Sequence, residues 1–115
     1  YGPSHYKDFW EYNPALNTWT QKADFGGGER CSAVGFSIGN KGYIGTGKYI
    51  YTSTSSTHYK DFWEYDPALN TWTQKSDFGG GERWDAVGFS IGDKGYIGTG
   101  GSSVEKDFWE YNPGP

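Results

Sequence analysis

The chain has 115 residues, 19 of them glycine, with 20% aromatic residues and a net charge of −4. That length gives one domain at most, and Leu stands only at 16 and 69 and Val only at 34, 87 and 104, too few to build a helical bundle. Lys and Arg are scattered singly and apolar stretches run only a few residues, so neither a nucleic-acid footprint nor a membrane span is visible.

The chain is a repeat. Residues 7–47 recur at 60–100 with differences only at Asn13/Asp66, Ala23/Ser76, Cys31/Trp84, Ser32/Asp85 and Asn40/Asp93. A third copy begins at Lys106 as KDFWEYNP. The copies are joined by unequal connectors, Lys48–Tyr59 and Gly101–Glu105. With no Met anywhere, Tyr1 is not expected to be a translation start; the chain reads as a processed product or a segment.

In chain order from Lys60, the first expected strand is Asp61–Tyr65, which Asp66-Pro67 ends because proline cannot continue a ladder. Ala68-Leu69-Asn70 turns the chain into a second strand, Thr71–Lys75, whose alternation suits one exposed face. Asp77-Phe78-Gly79-Gly80-Gly81 returns the chain. Ala86–Ile91 and Tyr96–Thr99 then form a hairpin across the Gly92–Gly95 turn. Four short strands per period of this length are the pattern of a propeller blade.

At these residues the chain resembles the kelch repeat. The resemblance rests on Gly95-Tyr96-Ile97-Gly98-Thr99-Gly100-Gly101 and on Tyr12 and Tyr65, followed by Trp19 and Trp72 with six residues between. It covers nearly the whole chain and is nearest to the tandem kelch or galactose-oxidase central-domain arrays of secreted bacterial proteins. The first copy departs from it, with Gly47-Lys48 in place of the double glycine.

The resemblance implies an all-β fold of four-stranded antiparallel blades, about two per chain; numbered from the propeller axis outward, Ala86–Ile91 and Tyr96–Thr99 are first and second strands, Asp61–Tyr65 a third and Thr71–Lys75 a fourth. Residues 1–25 would hold the third and fourth strands of a split blade. Residues 26–79 would form a complete blade with the long connector 48–59, and residues 80–115 the first, second and a repeated third strand. Trp10, Trp19, Trp63, Trp72 and Trp109 are then expected to fill the wedges between blades. An extracellular or cell-surface location is implied as well.

Two blades leave apolar faces uncovered and cannot close a ring. The expected function is therefore non-catalytic self-assembly into a ring or filament, with copies of the chain as partners and no stable isolated monomer. The third strand occurs in surplus, with Phe9, Trp10 and Tyr12 of one copy and Phe108, Trp109 and Tyr111 of another suited to the same slot. An unpaired strand of this composition is an adhesive edge, which points to open-ended assembly such as a fibre.

Motifs for chemistry are weak. Gly42–Lys48 has the spacing of a phosphate loop but lies on an expected strand and is followed by Tyr49. Cys31 stands alone, and His5 and His58 do not gather the ligands that copper chemistry requires, so no metal or cofactor is expected. Asp24/Glu29 and Asp77/Glu82 are expected to bond turn amides or Arg30 and Arg83. The copies differ most along one expected face, where Arg30, Cys31, Ser32, Tyr49, Tyr51, His58, Arg83, Trp84 and Asp85 form either a rim for a glycan or protein, or loops that have drifted.

Overall fold

Each copy of the Pro-Ala-Leu turn is closed by its own side chains. Asn13 Oδ1 accepts from the backbone N–H of Ala15 at 3.0 Å and of Leu16 at 3.3 Å. Asp66 Oδ1 accepts from Ala68 N–H at 2.9 Å. Asn17 and Asn70 complete the two turns at φ 54° and 52°, a left-handed geometry that Asn tolerates. The Gly39-Asn40 and Gly92-Asp93 turns each place a glycine at positive φ in their first position, as a tight hairpin requires.

The structure is a computed structural model and describes residues 5–101 and 105–114. Its strands are β1 (Phe9–Asn13), β2 (Thr18–Lys22), β3 (Val34–Ile38), β4 (Lys41–Gly45), β5 (Lys48–Thr52), β6 (Ser55–His58), β7 (Phe62–Asp66), β8 (Thr71–Lys75), β9 (Val87–Ile91), β10 (Lys94–Gly98) and β11 (Phe108–Tyr111). All pairings between them are antiparallel. They form a four-stranded sheet β3-β4-β7-β8, a three-stranded sheet β9-β10-β11, and two-stranded sheets β1-β2 and β5-β6. The described residues contain no helix. No helix is long and apolar enough to cross a membrane.

The fold is all-β, and the expected strands stand within a residue or two of where the sequence puts them. The connector is the difference. Residues 48–59 fold into their own hairpin, β5-β6, because Lys-Tyr-Ile-Tyr-Thr and Ser-Ser-Thr-His are β-rich runs able to pair across Ser53-Thr54. Lys48 also pairs with Cys31 as an isolated bridge, and Gly101 pairs with Trp84 in the same way. The departure at Gly47-Lys48 therefore leaves the connector's point of departure unchanged.

The core lies between the four-stranded and three-stranded sheets. Val34, Ile38, Tyr43, Phe62, Phe78 and Ile97 are buried there, with Phe36, Ala86 and Tyr111 packed against them. β1-β2 lies on the outer strands β7-β8, where the Phe9 ring sits 4.9 Å from both Tyr65 and Trp72.

Candidate functional site

Arg30 and Arg83 do not stand on a rim. Both are buried. Arg30 makes a two-pronged pair with Asp61, Nη1 to Oδ1 at 2.6 Å and Nη2 to Oδ2 at 2.9 Å. It also donates to the carbonyls of Thr46 at 2.9 Å and Gly27 at 2.7 Å, and lies 4.1 Å from the Tyr59 ring centre. Arg83 repeats the clamp on Asp107, with Nη1–Oδ1 at 2.7 Å and Nη2–Oδ2 at 2.5 Å. Asp24/Glu29 and Asp77/Glu82 were expected to bond turn amides or these arginines; the acid that clamps each arginine is instead the Asp of the Lys-Asp-Phe-Trp motif, just before β7 or β11, with Glu105 also 3.7 Å from Arg83. Trp63 and Trp109 donate their indole N–H to the same two carboxylates at 2.8 and 2.9 Å.

The clamp holds a strained corner. Thr46 has φ 62° and Thr99 φ 64°, a costly conformation for a β-branched residue. Bonding of the Thr46 and Thr99 carbonyls to the guanidinium groups fixes that corner. Fork-to-fork pairing suits arginine and not lysine.

Burial raises the Asp61 carboxyl, but hydrogen bonds from Arg30 and Trp63 and the charge of Arg30 outweigh it and hold it below the ordinary value. The Arg83 and Trp109 hydrogen bonds hold Asp107 at about 2. Both carboxyls titrate lower folded than unfolded, so the stability they supply is present above about pH 4 and is lost as pH falls through the folded value. The melting temperature is expected to be level from about pH 7 to 5 and to fall steeply between about pH 4 and 2. Asp61→Asn with Asp107→Asn should be less stable at neutral pH and show a flatter acid limb, read by thermal melts across that range.

Tyr49, Tyr51, His58 and Trp84 gather at the β5-β6 hairpin, on its two faces. On one, His5 stacks on Tyr49 at 4.4 Å and Tyr49 tilts against Tyr51 at 4.8 Å. On the other, His58 stacks on Trp84 at 4.1 Å, and Lys48 Nζ lies 5.4 Å from the Trp84 ring centre. Ser32 and Asp85 both take positive φ, 58° and 56°, and Asp85 N–H donates to the Ser32 carbonyl at 3.1 Å. Cys31 is a free, half-buried thiol. Among the described residues no group of three or more His, Cys, Asp or Glu is placed to hold a metal ion.

Two differences between the copies are one packing change. A Cβ on Gly101 would meet the Trp84 indole at 2.7 Å, so the large ring at 84 requires glycine opposite, whereas Cys31 leaves room for Lys48. Trp84→Cys and Gly101→Lys should each destabilise the chain, the first by about 1–2 kcal/mol. The double variant should lose less than the sum by about 1 kcal/mol or more, measured by chemical denaturation.

β3 and its repeat β9 differ sharply in exposure. Val34 and Ile38 are 7% and 8% exposed, but their repeats Val87 and Ile91 are 53% and 65% exposed. The first pair is covered because β9-β10 offers glycines to it. A Cβ on Gly88 would run into Val34 and stand 3.2 Å from Phe36, and one on Gly95 would run into Phe36 and stand 3.3 Å from Ile38. The repeats of those glycines, Gly35 and Gly42, face only atoms of their own sheet at 3.5 Å or beyond. One end thus carries knobs (Val87, Phe89, Ile91) and the other the matching holes (Gly35, Gly42).

No family model matches the chain. No curated protein matches it. The chain is similar to the solved structure of YjhT, at 23% identity and a TM-score of 0.71, over 82% of this chain and 28% of that one. That likeness is one of fold, and the chain spans 28% of the length of the structure it matches. The clamp residues Asp61 and Asp107, and Phe25 and Phe78 against the two guanidinium groups, lie outside the variable loops, and the sequence marks them only by their identical recurrence in each copy.

Proposed function

We propose that the chain is a kelch-type propeller segment that assembles with copies of itself into a multi-blade structural scaffold, not an enzyme. The observation that carries this is the interface inside the chain: Val34, Phe36 and Ile38 seat over Gly88 and Gly95, and the same knobs and holes recur unmatched at opposite ends. A heterologous contact of this kind repeats until it closes into a ring or runs on as a filament. In this reading, β9-β10 of one copy and β1-β2 of the next make one blade, and β3-β4-β7-β8 makes the other. About three or four copies would give a propeller of ordinary blade number.

The recognition reading is carried less well, because the rings of its rim are stacked on one another and its arginines are committed to Asp61 and Asp107. Sedimentation equilibrium over a wide concentration range tests the assembly. A mass that is a multiple of the single chain is expected. A compact, cooperatively melting monomer at every concentration contradicts it.

A further inference from the structure

A cavity of about 130 Å³ opens beside β11, lined by Phe62, Phe78, Ile97, Trp109, Tyr111 and Ser76 among others. Among the described residues no strand pairs with the outer edge of β11.

One repeat earlier the same place is filled. Phe9 and Phe25 stand there in the positions of Phe62 and Phe78, and the Trp72 ring packs edge-on against them at 4.9 and 5.0 Å. The Trp72 indole N–H donates to the Ala23 carbonyl at 3.2 Å, and Ala23 N–H donates to Asn70 Oδ1 at 3.0 Å. Ser76 is the repeat of Ala23, so the cavity carries the same backbone donor and acceptor. The repeats of Trp72 and Asn70 are Trp19 and Asn17. Trp19 is 65% exposed, with Tyr12 tilted against it at 5.0 Å.

We propose that Trp19 of a second copy fills this cavity, carried there by that copy's β1-β2 hairpin, which takes the place of β11 on β10. The inference rests on the assembly reading above and names its contact. β11 pairs with β10 from Gly95↔Tyr111 to Gly98↔Phe108. β1 carries the same Phe-Trp-Glu-Tyr sequence, so its register becomes Gly95↔Tyr12 to Gly98↔Phe9. Asp8, which already accepts from the Trp10 indole at 2.8 Å, then replaces Asp107 on Arg83.

The exchange swaps identical third strands, so nothing is lost in that slot. The incoming hairpin adds what β11 lacks, a fourth strand and the Trp19 ring. β11 has only the advantage of its tether, which raises its effective concentration at β10. It therefore acts as a latch on its own edge, holding the slot until the concentration of other copies is high enough to displace it.

Sedimentation velocity on the full chain across a dilution series tests this with two variants. Trp19→Ala removes an exposed ring and should weaken self-association by about 30-fold or more, as loss of a buried aromatic anchor does. Trp109→Pro disables β11 as a ladder strand and should tighten association by roughly tenfold. Association that Trp19→Ala leaves unchanged, or that Trp109→Pro weakens, overturns the exchange while the assembly reading stands. A wild-type chain that remains monomeric throughout overturns the assembly reading itself.

Discussion

Phe62→Ala is expected to cost about 3–5 kcal/mol, a large part of the stability of a domain this small. Phe62 is 2% exposed and its ring lies 5.5 Å from Tyr43, 5.9 Å from Phe36 and 4.8 Å from Tyr111. Truncation leaves a void between the two larger sheets where three rings lose a partner. Phe108 occupies the same repeat position and is 53% exposed, so Phe108→Ala should cost about 1 kcal/mol or less in the isolated chain. The melting temperature should fall by roughly 12–20 °C for the first variant and by a few degrees for the second. Equal losses would mean that the two sheets do not pack as described.

Gly35→Val is expected to abolish self-association by 100-fold or more while the chain keeps its stability. A side chain at 35 meets Ile44 Cγ1 and the Tyr43 carbonyl at 3.5 Å, ordinary contact distances, and valine suits a strand better than glycine does. The change therefore costs the single chain little, within about 0.5 kcal/mol. In the proposed assembly the same valine stands where the Val87 knob of another copy would seat, a space that Gly88 keeps open for Val34 inside the chain. Gly88→Val makes the internal counterpart of that clash and should destabilise folding itself. Thermal melts and sedimentation of the two variants side by side separate the effects.

Much of this was legible in the sequence. The repeat fixes the strands, because Asn-Pro-Ala-Leu-Asn and Gly-Asn-Lys-Gly are turns with their own side-chain and glycine chemistry, independent of distant contacts. The hairpin at Lys48–His58 was less legible, since its pairing competes only with an unstructured loop and has no turn glycine to announce it. The Arg30–Asp61 and Arg83–Asp107 clamps were not legible: nearer acids in the chain are better candidates by sequence distance, and only the sheet brings Asp61 to Arg30. Exposure was least legible of all. Val34 and Val87 have identical neighbours from Ala33 to Gly39 and from Ala86 to Gly92, and what covers one and not the other is the sheet that follows.

The central claim is that the two ends of the chain are mates, and mixing two singly blocked variants tests it most directly. Gly35→Val blocks the hole face and leaves the knobs; Phe89→Asp charges the knob face and leaves the holes. Each variant alone is expected to sediment as a monomer, and an equal mixture as a dimer with one good interface and no larger species. A mixture that stays monomeric while the unaltered chain assembles, or blocked variants that assemble as the unaltered chain does, would contradict it.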